Sequence, residues 1–348
     1  MPAPTLDDHL NAFVSTSSAD CLAVADVVRK LAGAAVEVRE AINLGALGNA
    51  FAGIAATNAG GDVQKDLDVL ADEIFLNAMA GAPVALFASE ELENPVVLDR
   101  EAPIAIAIDP LDGSSNIETN VSVGSIFSLL PVVRPLEGSG METFLQPGSS
   151  QLAAGFFVYG PQLALVLTLR AGTHIFVYSP RQNTFVEAYR DVQVAHKASE
   201  FAINASNYRH WDAPVRLYID ECLSGSAGAH ARDYNMRWIA SLVADTYRIL
   251  IRGGVFLYPG DSRKGYGRGR LRLLYEANPI AMLVEQAGGL ATDCVTRTLE
   301  IQPTALHQRV PLVFGSASEV TRIEHYHAEA DQIGGRSPLF GHRGLFRS

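Results

Sequence analysis

Short runs of apolar residues, bounded by turn residues, dominate the first half of the chain and predict a series of buried strands. The run Ile104–Ile108 is apolar throughout. The stretch Val121–Val133 is almost continuously apolar, which is typical of a strand that is covered on both faces. The N-terminal half is therefore expected to be rich in strands. The other strands are predicted at Val84–Ala88, Gly155–Tyr159, Leu163–Leu169 and His174–Tyr178.

Helical spacing is clearest near the start of the chain. Apolar residues between Val24 and Ile42 recur at intervals of three and four residues, which predicts a long helix with one apolar stripe. A connection rich in Gly, Ala and Asn, Gly45–Gly61, separates this helix from a second one predicted at about Asp66–Ala80.

Beyond about Val194 the pattern changes, because predicted helices alternate with predicted strands as in an α/β domain. We expect an N-terminal α/β domain over residues 1–194, a C-terminal α/β domain over 195–332 and a surface tail over 333–348. The predicted C-terminal helices are Pro214–Cys222, Trp238–Ile251 and Pro279–Ala287, and the predicted strands are Gly254–Leu257, Arg270–Leu274 and Val310–Gly315.

Composition narrows the class of protein. The chain has 348 residues, of which 48% are hydrophobic and 19% charged, so it can bury a large core. A net charge of −11 argues against nucleic acid as the main partner. No run approaches the roughly 20 apolar residues of a membrane span, and the first residues lack the pattern of a signal peptide. Cys21, Cys222 and Cys294 form no metal-binding spacing, so we expect a cytoplasmic protein with reduced thiols.

The segment Asp109–Asn116, with the sequence DPLDGSSN, carries the most specific chemistry. Because proline cannot donate to a sheet, the preceding strand is expected to end at Pro110. Asp109 and Asp112 can then point into one cavity, while Gly113 permits a tight backbone path. Two carboxylates beside exposed N–H groups suit Mg²⁺ and a phosphate together. Taken alone, the segment is equally compatible with an ordinary Asx turn followed by a cap.

Further carboxylates occur at element ends. Asp62 and Asp68 lie near the start of the second predicted helix, where capping is the alternative role. Glu90 and Glu91 follow a predicted strand and should diverge; a solvated edge pair is the alternative. The segment Leu271–Glu276 reads as a strand whose alternation would put Arg272, Leu274 and Glu276 on one face. A surface salt bridge is the alternative role for Glu276.

A second group of residues is suited to an anion. Asn204, Tyr208 and Tyr258 offer amide and hydroxyl donors, and Arg237 offers a bidentate guanidinium. A lone Arg237 is more often a surface arginine, so this group gains weight only from the carboxylates that accompany it.

Nine segments together resemble the class I fructose-1,6-bisphosphatases, in their order and spacing, from about Val24 to Tyr326. IDPLDGSSN is shared with the wider lithium-sensitive phosphatases, including inositol monophosphatases, whereas LRLLYE and NMRW are specific to the bisphosphatases. The segments are GDVQKDLDVLA, SEEL, IDPLDGSSNI, SVGSIF, MRWIASLVADTYRIL, GGVFLYP, LRLLYEANP, EQAGG and PTALHQR.

The resemblance implies a layered αβαβα sandwich and Mg²⁺-dependent hydrolysis of fructose 1,6-bisphosphate, with two or three ions per subunit and Mn²⁺ as a substitute. It implies that Asp68 and Glu91 orient and deprotonate the attacking water. The implied metal ligands are Glu90, Asp109, Asp112, Glu276, the Leu111 carbonyl at a second ion and Asp62 at a third, loosely held ion.

The same resemblance implies a substrate site and a homotetramer. The 1-phosphate would lie against Asp112, Gly113, Ser114 and Ser115. The 6-phosphate would be held by Asn204, Tyr208, Tyr258, Arg270 and, from a neighbouring subunit, Arg237.

Three departures from the family pattern bear on substrate preference: Arg270 replaces a common Lys, Trp238 replaces a common Tyr, and Asn207 resembles an insertion. Two alternatives therefore stay open: a dual enzyme that also accepts sedoheptulose 1,7-bisphosphate, and a catalytically silent phosphosugar-binding regulator. Gluconeogenesis and the Calvin cycle use the same reaction, so the sequence does not choose between these pathways.

Inhibition by AMP is not expected. Relatives bind AMP through a loop before the first long helix, a Lys-Tyr pair and an Arg, where this chain has Val14–Ser18, Pro103-Ile104 and Leu130-Pro131. Proline and aliphatic side chains offer no donors for a phosphate. The segment Leu136–Pro147 contains no cysteine, so a thioredoxin switch is also not expected.

Overall fold

The computed structural model describes residues 3–15, 19–44, 62–136 and 138–329. The predicted tail, 333–348, and the predicted connection, 45–61, lie outside the described residues. Among the described helices, none is long and apolar enough to cross a membrane.

Seven α-helices are described, and the two long N-terminal ones confirm the helical spacing in the sequence. The predicted helix at Trp238–Ile251 begins four residues later than expected, because Ser241 is its N-cap and accepts a hydrogen bond from the Ala244 N–H. A short helix at the start of the chain was not predicted. The helices are α1 Leu6–Ser15, α2 Ala19–Leu44, α3 Asp62–Met79, α4 Ala213–Leu223, α5 Leu242–Arg252, α6 Asn278–Gln286 and α7 Ala317–Ala328.

The strands confirm the apolar runs of the N-terminal half and add a strand, Thr184–Tyr189, that the sequence did not reveal. That strand alternates only partly and lies at a sheet edge. The first eight strands are β1 Val84–Ser89, β2 Val96–Val97, β3 Ile104–Asp112, β4 Val123–Pro131, β5 Ala153–Tyr159, β6 Leu163–Thr168, β7 Thr173–Ser179 and β8 Thr184–Tyr189. The others are β9 Glu200–Ala202, β10 Asn235–Met236, β11 Val255–Tyr258, β12 Leu271–Arg272, β13 Leu290–Thr292, β14 Arg309–Val310 and β15 Leu312–Gly315.

The described strands form three sheets. The first eight make one sheet in the order β2-β1-β3-β4-β5-β6-β7-β8, in which only β1 and β3 are parallel. A five-stranded sheet has the order β10-β9-β11-β15-β13, and β12 pairs with β14.

Helices and sheets alternate in five layers, which confirms the expected αβαβα sandwich. Helices α1, α2 and α3 cover one face of the large sheet. Its other face packs with α5, α6 and one face of the five-stranded sheet, whose second face is covered by α4 and α7. Since β4 is buried on both faces from Val123 to Leu130, its continuous apolar pattern is explained.

Candidate active site

A bulge in β3 carries the two aspartates of the DPLDG segment. The strand continues through Pro110 to Asp112, so the prediction that it ends at Pro110 is wrong. Asp109 pairs with Ile126 and Asp112 with Gly124, so two residues of β3 oppose the single residue between those partners. A bulge tolerates proline because the ladder is already interrupted there, and it redirects the carboxylates.

Two buried hydroxyl groups hold this bulge in place. The Ser125 hydroxyl donates to the Pro110 carbonyl at 2.7 Å, and the Tyr159 hydroxyl lies 2.8 Å from the Ser125 oxygen. Because the single Ser125 proton is used by Pro110, Tyr159 acts as the donor to Ser125. Burial raises the pKa of Tyr159, so this phenol keeps its proton. The bulge is therefore fixed from β4 and β5 through a two-step hydrogen-bonded chain.

The third acid, Glu276, comes from a π-helical segment, Leu273–Ala277, that leads into α6. The prediction that Arg272 and Glu276 share a strand face is therefore wrong: the strand ends at Arg272, whose N–H donates to the Glu276 carboxylate at 2.5 Å. Leu274 and Tyr275 pack against alanines of β1 and β3. Small alanine side chains leave room for the helical segment to approach the bulge.

Asp109, Asp112 and Glu276 form a buried carboxylate cluster. One oxygen from each lies within 4.8 Å of the others, and the residues are only 6%, 8% and 7% exposed. Burial raises the pKa of Asp109 and Glu276 well above the ordinary range, and neighbouring carboxylates, including Glu90, add to the effect. The cluster is electrostatically costly without a cation, and its hard oxygen donors fit Mg²⁺.

Asp112 is held differently from its neighbours. Burial raises its pKa to about 7, while hydrogen bonds from Val243 and Leu242 at the start of α5 act in the opposite direction. The helix N-terminus therefore partly offsets the cost of burying this charge.

Asp68 and Glu91 lie beside the cluster, on α3 and after β1. Burial raises the pKa of Asp68, and a hydrogen bond with Ser114 partly counteracts this increase. The pKa of Glu91 is raised by burial and by the charges of Asp68 and Glu90. Glu90 instead accepts from the Arg272 Nε at 3.1 Å, so the adjacent glutamates have different surroundings, as expected.

A pocket with several polar side chains is formed by residues of the C-terminal half of the chain. Asn204 and Tyr258 line it together with Asn207, and Arg263 and Tyr266 complete it among other residues. The pKa of Tyr258 is raised by burial, and among the nearby charges that act on it are those of Arg270 and Glu276, with opposite signs. Tyr258 therefore lies in the pocket and within electrostatic range of Glu276 in the carboxylate cluster.

Two arginines contact the aromatic ring of Tyr266, and one of them, Arg263, also lines the pocket. The Arg263 guanidinium lies 4.2 Å and that of Arg270 4.8 Å from the ring centroid, and Arg270 also donates to the Tyr266 hydroxyl at 3.0 Å. The sequence reading missed Arg263 and Tyr266. The stretch Gly260–Arg270, in which arginines alternate with glycines, was the available signal.

Some predicted site residues are not brought to the pocket. The Tyr208 hydroxyl donates to Asp220 on α4 at 2.8 Å, and its predicted contact with a phosphate stays a prediction. Arg237 directly follows β10, and its Nε lies 3.9 Å from a carboxylate oxygen of Glu200; its predicted role in a neighbouring subunit stays a prediction.

The backbone of the predicted phosphate segment adopts a tight turn. Gly113 has a φ of +74°, and Ser114 and Ser115 lie in the 3₁₀ turn Ser114–Asn116 that follows it. Asp62 is the first residue of α3. The places predicted for Asp62 and for the Leu111 carbonyl in the metal site stay predictions.

The fold and cluster define a layered α/β protein with a candidate oxygen-ligand metal centre, and comparison with known proteins identifies its family. Residues 12–190 match the model described as "Fructose-1-6-bisphosphatase, N-terminal domain", and residues 194–328 match the corresponding C-terminal domain. The chain belongs to the class I fructose-1,6-bisphosphatase family.

Relatives and solved structures agree with this family. The chain is 58% identical to fructose-1,6-bisphosphatase class 1 of Sinorhizobium medicae, over 100% of both chains. It is 54% identical to the protein of that name from Methylorubrum extorquens, over 99% of this chain and 98% of that one. The holo crystal structure of Leishmania major fructose-1,6-bisphosphatase is similar with a TM-score of 0.82 and 30% identity, covering 93% of this chain and 99% of that one.

Proposed function

We propose that this protein hydrolyses fructose 1,6-bisphosphate to fructose 6-phosphate and phosphate. The observation that carries the proposal is the buried cluster of Asp109, Asp112 and Glu276 beside a pocket with amide, phenol and guanidinium groups. Such an arrangement suits a ligand with a phosphate at each end. The names of the relatives support this activity. They support neither of the two alternatives, the dual sedoheptulose enzyme and the silent regulator.

The metal is proposed to be Mg²⁺, at two or three ions per subunit, with Mn²⁺ as a substitute. Asp109, Asp112, Glu276 and Glu90 would hold it, with the Leu111 carbonyl and Asp62 at further ions. Bound Mg²⁺ would polarise the phosphoryl oxygens and stabilise the leaving sugar oxygen. The Gly113 turn and the N–H groups of Ser114 and Ser115 would hold the 1-phosphate.

Asp68 and Glu91 are proposed to orient the attacking water and accept its proton. Burial raises the pKa of both carboxylates, and the charge of Glu90 adds to the effect at each. A base whose pKa lies closer to the working pH transfers protons more effectively. The raised pKa values make both carboxylates stronger bases than an exposed Asp or Glu, which supports this proposal.

The other end of the substrate would lie in the pocket of Asn204 and Tyr258, where Arg270 supplies positive charge. Tyr208 would join them at the 6-phosphate; in this structure its hydroxyl donates to Asp220 and so holds the loop against α4. In this scheme residues 1–194 contribute most of the metal ligands and residues 195–332 the sugar and 6-phosphate site.

We further propose a cytoplasmic homotetramer in which Arg237 completes the pocket of a neighbouring subunit. Its guanidinium is 52% exposed and lies outside the described lining of its own pocket. Mixing Arg237→Ala subunits with Asp112→Asn subunits should restore activity, since some mixed sites would be intact. A fully active monomer in sedimentation experiments would contradict this arrangement.

The activity is tested by phosphate release from the metal-stripped protein before and after addition of MgCl₂. We expect turnover with fructose 1,6-bisphosphate and much less with inositol monophosphate. Sedoheptulose 1,7-bisphosphate, assayed in parallel, measures how strictly the sugar is selected. If no bisphosphate is hydrolysed while fructose 1,6-bisphosphate binds, the silent regulator is the better description.

A further inference from the structure

A second group of potential metal ligands lies far from the carboxylate cluster. His9 is on α1, His174 on β7 and Glu187 on β8, and one donor atom from each lies within 4.8 Å of the others. Strands β7 and β8 end the large sheet on the side remote from β3. This group therefore shares no residue with the proposed active site.

The fold brings the three side chains together from independent elements. His9 lies between Leu6 and Leu10, which are buried on the inward side of α1. The start of the chain is fixed to β8, because the Glu187 N–H donates to the Pro4 carbonyl at 2.8 Å. The inner face of α1 is thereby held against the β7–β8 hairpin.

The hairpin places its two ligands on the face that α1 covers. Phe176 pairs with Glu187, and His174 is two residues before Phe176, so all three share one face. The register shifts between Ile175 and Phe176, which leaves an extra residue in β8. The His9 ring lies 4.4 Å from the His174 ring and 5.4 Å from the Phe176 ring.

The donor atoms are buried and closely spaced. The side chains of His174 and Glu187 are 11% and 5% exposed, and His174 Nδ1 lies 3.1 Å from Glu187 Oε1. Two ligands bound tetrahedrally to Zn²⁺ at about 2.0–2.1 Å are separated by roughly 3.3 Å. Arg190 binds the other Glu187 oxygen at 3.0 Å, which leaves Oε1 directed towards the histidines.

We propose that His9, His174 and Glu187 bind a transition-metal ion such as Zn²⁺, which fastens the N-terminal helix to the edge of the large sheet. Two imidazoles and one carboxylate form a donor set that favours Zn²⁺ over Mg²⁺, and water supplies the fourth ligand. The ion would hold α1 against the β7–β8 hairpin, and several strands separate it from the carboxylate cluster.

The test uses the full-length protein carrying Asp112→Asn, which weakens metal binding at the carboxylate cluster. After removal of metals, Zn²⁺ is titrated against a competing indicator, and Co²⁺ is added separately as an optical probe. We expect one tightly bound equivalent per chain, visible Co²⁺ absorption typical of tetrahedral coordination, and a higher melting temperature with Zn²⁺.

Variants separate a metal site from a simple side-chain hydrogen bond. His9→Phe keeps an aromatic ring beside Phe176 but removes a ligand, and should weaken Zn²⁺ binding by at least the ~10–100-fold that loss of an outer-shell partner costs. The same change at His325, an exposed histidine on α7, should leave binding unchanged. Arg190→Gln should strengthen binding, because it removes a competing cation.

The proposal is overturned if the Asp112→Asn protein binds no stoichiometric Zn²⁺, or if His9→Phe and Glu187→Gln bind as tightly as their parent. The pair His174–Glu187 would then be an ordinary hydrogen bond that holds the hairpin. Phosphate release from fructose 1,6-bisphosphate is measured on the same single variants in the native Asp112 background. Because these residues lie away from the active site, failure of this proposal leaves the proposed activity unaffected.

Discussion

Replacement of Ser125 by alanine tests how the bulge in β3 positions the carboxylates. The change removes the 2.7 Å bond to the Pro110 carbonyl and the 2.8 Å contact with Tyr159, both buried. Each buried polar group left without a partner costs about 1–3 kcal/mol, so the two groups together should cost about 2–6 kcal/mol in unfolding free energy. Urea unfolding in EDTA measures this loss without a contribution from metal binding.

Activity should fall further than stability alone would suggest. A displacement of the bulge moves Asp109 and Asp112 together, and misplacement by about 1 Å can cost on the order of 10²-fold in rate. We expect kcat to fall at least tenfold and the Mg²⁺ concentration for half-maximal activity to rise. KM should change less than kcat, because the 6-phosphate pocket around Tyr258 belongs to another sheet.

Matched variants decide whether the hydroxyl or the packing matters. Ser125→Thr keeps the hydroxyl and should recover most of the activity. Ser128→Ala changes another buried serine of β4, opposite Ala107 of β3, and should leave the Mg²⁺ dependence unchanged. If Ser125→Ala loses stability but keeps its kcat and its Mg²⁺ dependence, the hydrogen-bonded chain does not position the carboxylates.

Three other predictions concern the same site. Without metal, the unfolding free energy should fall as the pH rises from about 4 towards 7, because folded Asp112, with a pKa of about 7, retains a proton that the unfolded chain releases. Urea unfolding in EDTA measures this loss, and the same experiment in MgCl₂ should show that Mg²⁺ reverses it. Equal stability across this pH range in EDTA would contradict the prediction. Glu91→Gln should reduce kcat by about 10²-fold or more with little effect on substrate binding, as measured by steady-state kinetics, and near-native turnover would remove Glu91 from the mechanism. AMP should not inhibit the enzyme, because buried Ile104 and Leu130 offer no hydrogen-bond donors for its phosphate. The check is an AMP titration of activity at fixed Mg²⁺ and substrate, with and without dithiothreitol. Inhibition at micromolar AMP would refute the prediction.

The apolar patterns predicted the large sheet well because its strands are buried on both faces. They could not predict the path of β3 beyond Ile108, since the bulge depends on pairing with β4, which is distant in sequence. The segment Leu273–Ala277 was mistaken for a strand because three consecutive buried apolar residues fit a strand or a helix equally well. The start of α5 was readable from Ser241, a favourable N-cap before an apolar run.

The candidate site shows the same division. The metal carboxylates were proposed from short motifs, and the structure brings Asp109, Asp112 and Glu276 together. The surroundings of Tyr208 could not be predicted, because Asp220 approaches it only after α4 packs beside its loop. Side-chain partners that depend on tertiary packing were therefore beyond the sequence.

The central claim is that the buried carboxylates form a metal-dependent catalytic centre for fructose 1,6-bisphosphate. The most direct test is a Mg²⁺ titration of phosphate release by the native protein and by Asp112→Asn, with Asp245→Asn as a buried aspartate control on α5. We predict that activity depends on Mg²⁺ in the native and control proteins, and that Asp112→Asn, although folded, shows no Mg²⁺-dependent turnover. Phosphate release by Asp112→Asn at the native rate and with the native Mg²⁺ dependence would contradict the account.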